Sequence, residues 1–151
     1  MKITRIWTLG YRVLSLYYRL EVNGLDSLVI RQSTIRDVQG ISDVLTASQW
    51  FTYRNLFSED YIQELIEQYY NLQRIELEIV SIDQKWHGYL IAEIGNTIVG
   101  VIGGGMLTLE SGEVYVFYLD PEMGGAGIGP RLLNFFTKRQ NHKHATKEQR
   151  G

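Results

Sequence analysis

Val116-Phe-Tyr-Leu-Asp-Pro-Glu-Met-Gly-Gly-Ala-Gly-Ile-Gly-Pro-Arg-Leu-Leu133 decides the fold. Alternating large apolar residues up to Leu119 read as the end of a strand, and Asp120-Pro121 stops it. The glycines from Gly124 to Gly129 form a turn, and Leu132, Leu133, Phe135 and Phe136 recur as one face of a helix. Glycine lets a backbone come close to a ligand, and the unpaired N–H groups of a first helical turn favour phosphate. No Gly-Lys-Ser/Thr follows, so this is not a Walker A loop. Pro130 stands where a dinucleotide fingerprint needs its last glycine. Glycines alone are also compatible with a tight packing turn.

Working outward, Glu113–Leu119 reads as one strand with Tyr115, Phe117 and Leu119 on one face and Val114, Val116 and Tyr118 on the other. Ser111-Gly112 marks the turn before it. Tyr89–Ile94 and Thr97–Leu107 are apolar runs joined across Gly95-Asn96, a two-residue hairpin signal. Further upstream, Ser58 caps a helix with Glu59 and Asp60 in its first turn, and Tyr61, Ile62, Leu65, Ile66, Tyr69 and Tyr70 form its apolar stripe. Thr34-Ile-Arg-Asp37 is a capping-box pattern ahead of Val38, Ile41 and Leu45, and Leu28–Gln32 is a short β-branched strand. The order strand, helix, helix, three strands, helix predicts an α/β fold with a mixed sheet and helices on its faces.

The chain has 151 residues, 44% hydrophobic and 12% aromatic, with 15 Gly, 2 Pro and no Cys. That suits one domain and excludes a disordered chain. Without Cys there are no disulfides, thiolate metal sites or cysteine nucleophile, which fits a reducing, cytoplasmic location. The net charge of −2 is unevenly spread. Residues 1–19 hold Lys2, Arg5, Arg12 and Arg19 without an acid, and residues 138–150 are also basic. The body between them is strongly acidic, which disfavours nucleic acid and would attract a cationic molecule. Arg12 interrupts the apolar N-terminal stretch, so residues 1–27 read as an extension rather than a signal peptide. No stretch is long enough to span a membrane.

Strand, Asp-Pro, a variable dipeptide, G-x-G-x-G and a Leu-Leu helix together resemble the acyl-CoA-binding motif of the GNAT superfamily of N-acetyltransferases, in its small bacterial single-domain form. The resemblance covers roughly residues 28–140. It implies a mostly antiparallel sheet flanked by helices and a direct acetyl transfer from acetyl-CoA to an amine of a small molecule or protein. It also implies that the backbone of Phe117, Tyr118 and Leu119 holds the pantetheine arm. The pyrophosphate then falls to Gly125, Ala126, Gly127, Ile128 and Gly129, with Gly124 and Pro130 as flanks. Direct transfer needs a base and oxyanion donors but no metal. Glu113, at the start of the motif strand, is the first candidate base, and Glu93 the second. A solvated edge position is the competing reading of each. His87 reads as structural, and His142 and His144 lack a third zinc ligand.

Two departures concern the turn: Gly124 stands where the family usually has Gln or Arg, and Pro130 brings no N–H. A third concerns the remainder, since residues 141–151 read as a polar basic tail and not as the family's later strand, helix and closing strands. The expectation is therefore a C-terminally truncated member with an open edge on its motif strand, through which a homodimer could form. The alternative function is a non-catalytic CoA-binding or self-associating remnant.

Overall fold

In the computed structural model of the chain, residues 2–8, 27–123 and 126–150 are described, with side chains from 27 to 123 and 126 to 142. Five strands, β1 (Lys2–Thr8), β2 (Leu28–Gln32), β3 (Tyr89–Ile94), β4 (Thr97–Met106) and β5 (Ser111–Leu119), form one sheet in the order β1-β5-β4-β3-β2. The pairs β2–β3, β3–β4 and β4–β5 are antiparallel, and β1 runs parallel to β5. Among the described residues there are four α-helices, α1 (Val38–Tyr53), α2 (Glu59–Tyr69), α3 (Leu72–Val80) and α4 (Ile128–Arg150). The sheet is thus mixed and mostly antiparallel, as expected.

Local chemistry accounts for the boundaries. The Asp37 carboxylate accepts from the Thr34 backbone N–H at 2.7 Å, closing the capping box ahead of α1. The Ser58 hydroxyl accepts from the N–H of Tyr61 at 3.2 Å, and Asn71 Oδ1 from that of Arg74 at 2.8 Å, so α2 and α3 each begin at a side-chain cap. Gly95 takes φ +61° between β3 and β4, the conformation that a two-residue hairpin of type II′ asks of its first central residue.

The core has two sides. On one, Leu132 and Phe136 of α4, both fully buried, pack with Leu90, Ile102, Val114, Phe117 and Leu119. On the other, Ile41 and Leu45 of α1 and Ile75 and Ile79 of α3 pack with Tyr89, Ile91, Val101 and Tyr118. Val114 therefore shares a side with Phe117 and Leu119, against the strict alternation read from the sequence. The register explains this: Gly103 pairs with Val116 and Gly104 with Val114, which inserts Tyr115 as a β-bulge. On α2, Ile62 and Ile66 are buried while Tyr61 and Tyr69 face solvent, so its apolar stripe is narrower than the sequence suggested.

Two further expectations change. β1 turns part of the N-terminal extension into a sheet strand, paired from Lys2–Ser111 to Thr8–Phe117. The outer edge of β5 is therefore not open along Ser111–Phe117, and a homodimer loses that stretch as its contact. Residues 141–150 of the expected tail continue α4 as helix.

Candidate functional site

Strand β5 ends against the rest of the fold through two bonds. The Asp120 N–H donates to Val99 O at 2.9 Å, and the buried Ser48 hydroxyl of α1 donates to Leu119 O at 2.9 Å. Beyond Asp120 the chain tightens into a short turn. The Met123 N–H donates to Asp120 O at 2.8 Å, and the Glu122 N–H to Asp120 Oδ1 at 3.0 Å. Ala126 is buried against the α4 side of the core, and Gly127 takes φ +80° with open space where a side chain would stand. That φ favours glycine, and among the described residues no heavy atom other than its chain neighbours lies within 4 Å of where its Cβ would stand. Ile128 is fully buried and anchors the start of α4.

Helix α4 thus begins at Ile128, next to the exposed Gly127, and its first turn lies at the positive end of the helix dipole. Pro130, third in the helix, costs the fold nothing because its N–H would have no intrahelical partner. This arrangement suits an anion. Gly124 and Gly125 lie outside the described residues. Phe117, Tyr118 and Leu119 form the last turn of the strand before this anion-suited end, all three nearly buried. The last described β1–β5 pair is Thr8–Phe117.

The two candidate carboxylates sit in different settings. Glu113 is 2% exposed, near the far end of β5, in register with Gly105 on β4 and Arg5 on β1. Glu93 is held by Arg31, whose Nε donates to Oε1 at 3.1 Å and Nη2 to Oε2 at 3.3 Å. The same guanidinium forks onto Asp37 at 2.8 and 2.9 Å. Its hydrogen bonds hold the Asp37 carboxyl below the usual carboxylate range, and Asp37 and Glu93 raise the Arg31 pKa in turn. The structure does not bring Glu93 and Glu113 together. His87 is buried with Nδ1 2.8 Å from Gln140 Oε1, in keeping with a structural role, and His142 is on the exposed part of α4.

A group that sequence reading missed surrounds Tyr118. The Tyr70 ring stands edge-on to it at 6.4 Å, and Tyr53 lies nearby. Burial, then the neighbouring Tyr118, pushes the Tyr70 phenol well above its ordinary range; burial likewise raises Tyr53. Both stay protonated at neutral pH and are hydrogen-bond donors. Tyr53 and Tyr70 are 17 residues apart on different helices, so no local spacing marked them. Beside α1 and the β3–β4 hairpin lies a cleft of about 440 Å³ lined by Asp37, Asp43, Glu93 and Asp120, with Arg36 at its side.

Comparison with known proteins gives concordant results. Residues 50–148 match the family model described as Acetyltransferase (GNAT) family. Spermidine N(1)-acetyltransferase of Thermoplasma acidophilum is 30% identical over 108 residues, 71% of this chain, and the match spans 66% of that relative's length. The crystal structure of PaiA N-acetyltransferase from Thermoplasma acidophilum in complex with coenzyme A superposes with TM-score 0.70 at 28% identity, over 78% of this chain and 74% of that one. A GNAT family acetyltransferase from Brucella melitensis in complex with acetyl-CoA shares the fold alone, with TM-score 0.50 at 17% identity over 77% of this chain and 70% of the other.

Proposed function

The chain belongs to the GNAT family of acetyltransferases, and on that premise we propose that it transfers an acetyl group from acetyl-CoA directly to an amine. The observation that carries this reading is the junction of β5 and α4, where the end of the strand leads through the exposed Gly127, at φ +80°, into the N-terminus of the helix. In this reading the amides of Ala126, Gly127, Ile128 and Gly129 face the pyrophosphate. The backbone of Phe117, Tyr118 and Leu119 runs beside the pantetheine arm. Coenzyme A would supply the activated thioester; the protein's part is to hold it, exclude water and accept the amine proton.

For that proton Glu113 is preferred to Glu93 because it stands on β5, the strand that leads to the coenzyme turn; both Glu93 oxygens face the permanent cation of Arg31. A cationic acceptor such as a polyamine fits the acidic body and the acidic cleft, and the similar Thermoplasma enzyme is named for spermidine. Calorimetric titration with CoA, followed by measurement of CoA release from acetyl-CoA across a panel including spermidine, tests the reading. Saturable binding and amine-dependent release are expected. Binding without release for every amine would refute the transfer.

A further inference from the structure

Arg139 lies on α4 about 16 Å along the helix from Ile128, and its guanidinium stands 5.5 Å from the centre of the Phe136 ring. A circuit of hydrogen bonds ties this part of α4 to the sheet. Arg139 Nη1 donates to Gln32 Oε1 at the end of β2, and Gln32 Nε2 donates to the His87 carbonyl at 3.1 Å. His87 Nδ1 then stands 2.8 Å from Oε1 of Gln140, the residue after Arg139. Both side-chain amide oxygens of the circuit are engaged. Three donors are left over: Arg139 Nε, Arg139 Nη2 and Gln140 Nε2 are buried with no acceptor among the described residues. Donors buried and unpaired are costly, and charged ones more so. Burial lowers the Arg139 pKa to about 10, so the group keeps its charge at neutral pH, and no carboxylate among the described residues offsets that burial. Arg31, one position before Gln32, is the contrast, since its guanidinium is held by Asp37 and Glu93.

We propose that the edge of Arg139 formed by Nε and Nη2 is a binding site for a small carboxylate anion. These two nitrogens share one side of the planar guanidinium, and their N–H bonds run parallel at the spacing of a carboxylate's two oxygens. The third side of the guanidinium, Nη1, is already fixed by Gln32, which holds the plane in one orientation and leaves the fork to the ligand. Gln32 is exposed, so the circuit reaches solvent there, and the ligand enters from that side. The surplus is wholly of donors, which selects an anion over a cation or an apolar guest. This site stands apart from the glycine turn at the start of α4 and does not depend on the function proposed above.

The test uses carbon-13 sodium formate, the smallest planar carboxylate, titrated into the full chain with sodium chloride keeping the ionic strength fixed. Saturable broadening of the formate resonance is expected. At tenfold the dissociation constant so measured, the melting temperature is expected to rise by about 4 °C. Arg139→Met keeps an apolar stem over Phe136 and removes the charge, whereas Arg139→Lys keeps a charge and removes the fork. Each is expected to weaken formate at least tenfold and to lose the rise in melting temperature. If Arg139→Met does not melt cooperatively, Arg139→Lys decides alone. A parent chain with no saturable formate binding, whose spare donors are then met by water, would overturn the proposal. So would undiminished binding in Arg139→Met, which puts the anion elsewhere, or in Arg139→Lys, which shows that charge suffices without the fork.

Discussion

Replacing Gly104 by alanine probes the bulge that shapes β5. A Cβ at this position would lie 2.0 Å from the carbonyl oxygen of Glu113 and 3.0 Å from Cα of Val114, both backbone atoms of the neighbouring strand. No rotamer relieves such a contact. To restore even 3 Å, β5 must retreat by about 1 Å, enough to stretch the adjacent ladder bonds out of their range. Losing two or three bonds worth about 1 kcal/mol each, with the residual overpacking, puts the cost at about 3 kcal/mol or more. Gly100 is the control. Its Cβ would meet Leu119 Cδ2 at 2.7 Å and Leu132 Cδ2 at 3.3 Å, the ends of side chains that can turn aside. Gly100→Ala should cost about 1 kcal/mol. At about 3 °C per kcal/mol for a chain of this size, Gly104→Ala should melt roughly 10 °C below the parent and well below Gly100→Ala. Thermal melts followed by circular dichroism and by tryptophan fluorescence, to which Trp86, packed over Gly103, contributes, would show this. Equal melting of the two variants would refute the close approach of β4 to the bulge.

Leu132→Ala, at a fully buried position, should destabilise by about 2–5 kcal/mol in urea titration. Asp37 has its folded pKa depressed by Arg31, so its contribution is complete above its unfolded value near pH 4 and is lost as pH falls through the folded value. Asp37→Asn should therefore cost about 1–3 kcal/mol at neutral pH and flatten the acid limb of a stability–pH curve below about pH 4. If Glu113 takes the amine proton, Glu113→Gln should lower kcat about 10²-fold or more at little change in KM. Glu93→Gln should act mainly on stability, and steady-state kinetics beside melting curves separate the two.

Much of the fold was legible because its signals are local. The Gly95-Asn96 hairpin, the Thr34 and Ser58 starts and the glycine turn before α4 each depend on residues within four positions of one another. The bulge at Tyr115 was not legible, because β5 alone alternates well; only the three glycines of β4 opposite it carry the information. Nor was β1, whose partner lies more than a hundred residues later and whose parallel pairing needs no turn signal between the strands. The same limit hid the site's surroundings. Glu93 looked like a carboxylate in want of an explanation, and the explanation, Arg31, is 62 residues away on the neighbouring strand. The tyrosines about Tyr118 are likewise joined only by packing.

The parallel ladder between β1 and β5 also has a bearing on how the chain comes together during synthesis. Lys2–Thr8 leaves the ribosome before the other described strands and must wait for Ser111–Phe117 before it can pair. At about 5–20 residues per second that is a delay of roughly 5–20 s. Hairpin β3–β4 can close in microseconds once made, whereas β1 must close a loop of most of the chain. The earliest of the described strands is thus the last to find its place, and meanwhile KITRIWT, with Ile3, Ile6 and Trp7, stands unpaired, open to chaperones or to its own copies on neighbouring ribosomes.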